Sequence, residues 1–222
     1  MNLLAIDTST ELASLALLIG DEMTSEEQPS LKTHAQTVLP LIDRLLSQAN
    51  VNLAQLDGIV FGCGPGSFTG LRIACSIAKG LACAHDLPLI PVSSLAAMAY
   101  EVRQQTKYAP APILAVLDAR MQELYWAYFA PGTLLAEDCL NAAADIKVPA
   151  TPGLVITGTG IEEYWPDLSK DLQSQIHGTI PAYPKAAAMI RLAVDAGIKP
   201  VAAAKAQPVY VRNQVTQGDS RG

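Results

Sequence analysis

The sequence predicts an α/β fold built in two lobes, and three observations predict it. Two apolar runs joined by a turn open the chain, so a hairpin comes first. Signals for helix and strand then alternate. Past residue 112 the opening pattern partly returns around a second strand that ends in aspartate.

The elements follow in order. Residues 3–6 form an apolar run that ends in Asp7-Thr8-Ser9-Thr10, and residues 12–19 form a second run closed by Gly20-Asp21-Glu22. A Gly-Asp pair between two apolar runs is a hairpin turn signal. A weaker third strand fits 23–27. The period then changes: Ala35, Val38, Leu39, Ile42, Leu45, Leu46 and Ala49 recur at helical spacing, with Leu41 off the stripe. A helix with apolar residues beyond one stripe often packs on two surfaces. Residues 56–63 read as a buried strand that enters a glycine-rich loop, with a helix from about 70 to 84 behind it. A strand at 87–92 leads into a helix capped by Ser93 or Ser94 and running to about 105. The order β-β-β-α-β-α-β-α is ribonuclease H-like and calls for a mixed sheet with helices on its faces.

The second half repeats part of this. Leu4-Ala5-Ile6-Asp7-Thr8 compares with Ala115-Val116-Leu117-Asp118-Ala119, and Glu11-Leu12 with Glu123-Leu124, although the gap differs by one residue. A strand at 154–158 enters a glycine turn, and a helix within 183–197 ends at Gly197 before Pro200. Two ribonuclease H-like lobes in tandem make an actin/hexokinase-like (ASKHA) architecture, here with the second lobe reduced. The expected division is 1–108 for the first lobe, 109–216 for the second and 217–222 for a mobile polar tail.

Composition narrows the function. Half of the 222 residues are hydrophobic, 16% are charged, and the formal net charge is −6. Such a chain has little bulk charge with which to hold a phosphate backbone, so any service to a nucleic acid is expected to run through a partner. No signal peptide is read at the N-terminus, no segment suits a bilayer, and a cytoplasmic location is expected. Cys63, Cys75, Cys83 and Cys139 form no C-x-x-C pair and read as thiols of a reducing compartment.

The sharpest motif is Gly62-Cys63-Gly64-Pro65-Gly66-Ser67-Phe68-Thr69-Gly70-Leu71-Arg72. Glycines ahead of a helix N-terminus let backbone N–H groups approach an anion. Gly64, Pro65, Gly66, Ser67, Phe68, Thr69, Gly70 and Arg72, with Asp7 at the end of the first strand, are therefore candidates for a phosphate or nucleotide site. The alternative is a tight strand-to-helix turn capped by Ser67 or Thr69. The loop is neither a Walker A motif nor a dinucleotide fingerprint. Asp7 and Asp118 stand where such folds can hold magnesium. Each is equally a strand-end aspartate accepting turn hydrogen bonds, and Arg120 offers Asp118 a partner. His34, His85 and His177 are scattered, so no catalytic residues and no metal site are assigned. Ala74, Ala78 and Ala82 form a small-residue row flanked by Ile77 and Leu81. With His34, Val38, Leu41 and Leu45 of the earlier helix they are a candidate helical interface; packing on the sheet is the alternative.

Four stretches resemble the YeaZ/TsaB family: Ile6-Asp7-Thr8-Ser9, the loop from Gly64 to Arg72, Leu117-Asp118-Ala119-Arg120-Met121-Gln122-Glu123-Leu124-Tyr125, and Pro208-Val209-Tyr210-Val211-Arg212. They come in order over nearly the whole chain. The family's frequent His-Ser-Glu reads His34-Ala35-Gln36 here. The resemblance implies a non-catalytic partner in making N6-threonylcarbamoyladenosine in tRNAs that read codons beginning with A. It implies a catalytic threonylcarbamoyl-transferase paralogue of similar fold, which carries an H-x-x-x-H helix where this chain has Ser93-Ser94-Leu95-Ala96-Ala97-Met98-Ala99-Tyr100-Glu101. It also implies a small ATPase as a further partner, tRNA reached through the complex, and a self-dimer when the chain is alone. No resident cofactor is expected, and any ADP or ATP binding is expected to be weak and mainly within the complex. Two readings stay beside this one: a nucleotide-binding regulatory module, and a degenerate glycoprotease or sugar-kinase-like enzyme.

Overall fold

The structure, a computed structural model, describes residues 1–29, 34–105 and 107–212. The first sheet contains β1 (Asn2–Asp7), β2 (Leu12–Ile19), β3 (Glu22–Pro29), β4 (Gly58–Gly64) and β5 (Leu89–Ser93), in the order β3-β2-β1-β4-β5. The hairpin pairs Ile19 with Glu22 across Gly20 and Asp21, with Gly20 at a positive φ of 61°. β3 is longer than the sequence reading because its glutamates and Pro29 hide a strand signal. On a sheet edge those residues discourage further pairing.

The second sheet contains β6 (Ile113–Asp118), β7 (Glu123–Phe129), β8 (Cys139–Ala142), β9 (Leu154–Gly158) and β10 (Ile176–Pro181), in the order β10-β9-β6-β7-β8. In each sheet two antiparallel pairs precede two parallel ones, and the first strand lies at the centre. The ribonuclease H-like order is therefore present twice, and the fold is of the actin/hexokinase-like type.

Helices show how the second copy is reduced. The outer face of the first sheet is covered by α1 (His34–Gln48) and α2 (Phe68–His85). At the corresponding places the second sheet has a three-residue 3-10 turn, Ala143–Asp145, and the short α4 (Ile161–Tyr164) and α5 (Lys170–Gln175).

Between the sheets lie α3 (Ser94–Arg103) and α6 (Ala186–Asp195), packed against each other. α3 follows the first-lobe strands, yet it packs on β6, β7 and β9 as well as on β4 and β5. α6 follows the second-lobe strands, yet it packs on β1, β2 and β4. One apolar core thus joins Ala5, Val60 and Val92 to Ile113, Leu117 and Phe129 through Leu95, Met98, Met189 and Ile190. Side chains tie the same elements: Ser14 of β2 accepts a hydrogen bond from the Ala186 N–H at the start of α6, and the Tyr100 hydroxyl donates to Asp195. Among the described residues no helix is long and apolar enough to cross a membrane. The tail expected at 217–222 lies outside the described residues.

Candidate functional site at the glycine loop

β4 runs buried along its length and delivers its C-terminal end to the loop. Ser67 is the N-cap of α2, and its hydroxyl accepts from the Gly70 N–H at 3.3 Å. The Ser67 N–H donates to the Ser9 carbonyl at 2.7 Å, and the Thr8 hydroxyl donates to the Gly70 carbonyl at 2.6 Å. A Cβ at Gly70 would stand 1.8 Å from the Thr8 carbonyl oxygen, and one at Gly66 would stand 2.4 Å from that of Ser9. The glycines are thus required by the turn after β1, which packs directly on the loop. This geometry favours the capped-turn alternative over a phosphate cradle.

Asp7 is fully buried. Its Oδ1 accepts from the Ser9 N–H and hydroxyl, and its Oδ2 has no hydrogen-bond partner. A Cβ on Gly62 would fall 1.8 Å from that Oδ2 and 3.2 Å from the Met189 methyl, so the free oxygen lies against the Gly62 backbone. Burial pushes the carboxyl up to about 7, against the smaller lowering effect of Ser9. Among the described residues Asp7 belongs to no group of three His, Cys, Asp or Glu side chains that could hold a metal ion. Burial also pushes the neighbouring Cys63 thiol up to about 12. Asp118 follows its second reading: it accepts from the Arg120 N–H and the Tyr164 hydroxyl and pairs with the Arg120 guanidinium.

Gly64, Pro65 and Leu71 are buried, whereas Ser67, Phe68, Thr69 and Arg72 face outward. Phe68 is 53% exposed, Thr69 is exposed, and Arg72 lies 3.8 Å from the centre of the Phe68 ring. The helical interface reading needs a correction. Val38, Leu41 and Leu45 of α1 and Ala74, Ala78 and Ala82 of α2 are buried in the outer core of the first lobe. The small-residue row lets α2 lie close on β1 and β4; a row that would admit a partner helix admits a sheet equally well. Ile77 and Leu81 are half-buried. The side chain of His34 lies outside the described residues. Along their lengths α1 and α2 turn outward, among others, Leu39, Pro40 and Asp43, and Ser76 and Gly80.

Comparison with known proteins then decides the family. A Haemophilus influenzae protein named tRNA threonylcarbamoyladenosine biosynthesis protein TsaB is 34% identical, over 97% of this chain and 95% of its own. The chain belongs to the TsaB/YeaZ family. The Escherichia coli TsaB protein is also 34% identical, over 97% of this chain and 96% of its own. The crystal structure of YeaZ from Pseudomonas aeruginosa superimposes with a TM-score of 0.85 at 33% identity, covering 94% of this chain and 99% of that one. The family model described as TsaD, tRNA N6-adenosine threonylcarbamoyltransferase, matches residues 27–164. That span runs from the end of β3 through α4 and so crosses both lobes.

Two features of this TsaB/YeaZ chain escape a reading of the sequence. Asp138, before β8, accepts from the Ser93 hydroxyl at 2.9 Å, and burial pushes its carboxyl up to about 6. Nothing local marks it, because the pairing is between lobes. The motif at 208–212 is visible as a string, but its work shows only in three dimensions. The Val209 N–H donates to the Cys63 carbonyl, the Tyr210 hydroxyl accepts from Arg72, and Arg212 reaches Ala119 and Glu123 in the second lobe.

Proposed function

We propose that this protein acts in tRNA threonylcarbamoyladenosine biosynthesis as a non-catalytic scaffold and activator. It supports threonylcarbamoyl transfer to the adenosine 3′ of the anticodon in tRNAs reading codons that begin with A. The names of its relatives and the match to the threonylcarbamoyltransferase model support the pathway. The observation that carries the non-catalytic reading is α3. Where the resemblance puts a paired-histidine helix in the catalytic paralogue, this chain has Ser94 to Tyr100 buried without interruption, with no histidine among them. Among the described residues no group of three His, Cys, Asp or Glu side chains converges to hold a metal ion.

The paralogue docks on the outward faces of α1 and α2, around Leu39, Asp43, Ser76 and Gly80, and the same faces form a self-dimer when it is absent. The small ATPase joins this complex, tRNA is reached through it, and ADP or ATP binds weakly at a site the partner completes. The assembly works in the cytoplasm. Gly80 offers a clean test, because a Cβ there meets nothing within 4 Å. Gly80→Arg should keep or slightly raise stability, since glycine in a helix is worth about 1 kcal/mol less than an ordinary residue. It should also abolish co-sedimentation with the paralogue and the self-dimer. tRNA modification reconstituted from purified components should fail when this chain is omitted and when Gly80→Arg replaces it. Full modification without the chain would overturn the scaffold role, and wild-type association by Gly80→Arg would overturn the surface.

A further inference from the structure

Of the eight exposed large hydrophobic side chains among the described residues, Phe68 lies against Tyr210, Val209 precedes Tyr210 in the chain, and Met121 is reached by Arg212 two residues on. They come from both lobes and are joined by the C-terminal strap. The Phe68 and Tyr210 rings lie 5.4 Å apart at 38°. Val209 is anchored by its N–H to Cys63, and Arg212 touches the Met121 sulfur at 3.0 Å while donating to Ala119. Aromatic side chains, methionine and arginine exposed together are the composition of protein-docking centres rather than of an ordinary solvated face.

The charges say what would dock. Arg44, Arg120 and Arg212 each pair with a carboxylate. Arg72 pairs with none among the described residues. Its Nε donates to the Tyr210 hydroxyl at 3.0 Å, and its guanidinium is held over the Phe68 ring, leaving its terminal amino groups for an acceptor from elsewhere. A guanidinium already fixed by a ring and a hydroxyl loses little freedom on meeting a carboxylate, and its fork fits that group. We propose that this patch is a second protein-docking surface, at the N-terminal end of α2 rather than along it. It takes a peptide segment that sets a carboxylate side chain on Arg72 and an apolar anchor against Phe68 and Tyr210. A phosphate backbone is the weaker fit, because the chain carries a net charge of −6 and, among the described residues, Arg72 is the one guanidinium of the patch free of a carboxylate.

An array of short peptides tests the proposal. Each member places Asp or Glu at varied spacing from Leu or Phe and is matched by a counterpart with Lys in place of the acid. The full chain should retain a subset of the acidic peptides and none of their counterparts. Arg72→Gln should weaken retention by about tenfold to a hundredfold, the loss of one charge-assisted hydrogen-bonded pair. Phe68→Ala should weaken it too, and Arg72→Glu should exchange the preference toward the lysine peptides. These side chains are exposed, and circular dichroism of each variant serves as the control. Should Arg72→Glu unfold, Arg72→Gln and Phe68→Ala still decide. Equal retention of acidic and basic members, no retention at all, or retention unmoved by Arg72→Gln and Phe68→Ala overturns the proposal. So does tighter binding of a single-stranded oligonucleotide in the same assay. Loss of peptide binding with the self-dimer intact separates this surface from the outer faces of α1 and α2, so the two readings fail independently.

Discussion

Asp7 and Asp118 end the central strands of the two sheets, and each lies beside a glycine at the end of the neighbouring parallel strand. For Asp7 it is Gly62, one residue past Phe61; for Asp118 it is Gly160, where a Cβ would stand 3.7 Å from that of Asp118. Their surroundings differ completely. Asp7 is buried against Gly62 with one oxygen unpartnered, whereas Asp118 keeps an exposed arginine and a tyrosine hydroxyl. The difference follows from what covers each sheet. Two long helices and α6 close the first sheet, while short turns leave the corresponding edge of the second open to water. A strand-end aspartate therefore acquires its chemistry from the cover, not from its place in the repeat.

The comparison can be broken most severely by cutting the chain. Residues 1–108 expressed alone should lack cooperative thermal unfolding and dispersed amide resonances, because α6 is missing from the first sheet. A sharply folded fragment would show the lobes to be independent.

Next in size is the pH dependence of Asp7. Its folded carboxyl stands near 7 against an ordinary value of 3.8, so the folded state holds a proton that the unfolded chain gives up. Stability from this group is complete below about pH 4 and is lost as pH rises through about 7, on the order of 4 kcal/mol in all. Asp7→Asn keeps the shape and removes the titration. Denaturant midpoints should then fall less between pH 5 and pH 8 in the variant than in the parent. Parallel profiles would mean that Asp7 is ionised in the fold.

The paired glycines sharpen the contrast. Gly62→Ala forces a methyl onto the Asp7 carboxyl and should cost about 1–3 kcal/mol or more by chemical denaturation. Gly160→Ala has room, with its nearest neighbour at 3.7 Å, but keeps a φ of 75°, and should cost about 1 kcal/mol. Equal losses would place the two aspartates in like surroundings after all. The smallest effect is expected of Asp118→Asn. Its Arg120 partner is 84% exposed, so at most about 1 kcal/mol should be lost in chemical denaturation.

The hairpin, the bounds of β2 and the repeat around Asp118 were legible because turn chemistry and period are local signals. Ser67 as a cap was legible for the same reason. The orientation of Ala74, Ala78 and Ala82 was not, since a small-residue stripe has the same spacing whether a sheet or a partner lies beneath it. Nor could period 3.6 say that α3 and α6 would each cover the other lobe's sheet: an apolar face specifies burial but not the surface that buries it. Asp7 was visible as a residue at a strand end. Its closure depends on Gly62, which is distant in sequence and shares no motif with it.

The crossing of α3 and α6 has a consequence for how the chain is made. As it leaves the ribosome, β1, β2 and β4 are complete by residue 64, but the helix that covers their inner face spans Ala186–Asp195. Through most of synthesis α3 reaches only the β4 and β5 side of that surface, and β1 and β2 have no inner cover. The final structure can close only near the end of translation. Incompletely covered apolar surface of this kind, here around Ala5 and Ala16, is what makes partly folded chains prone to associate.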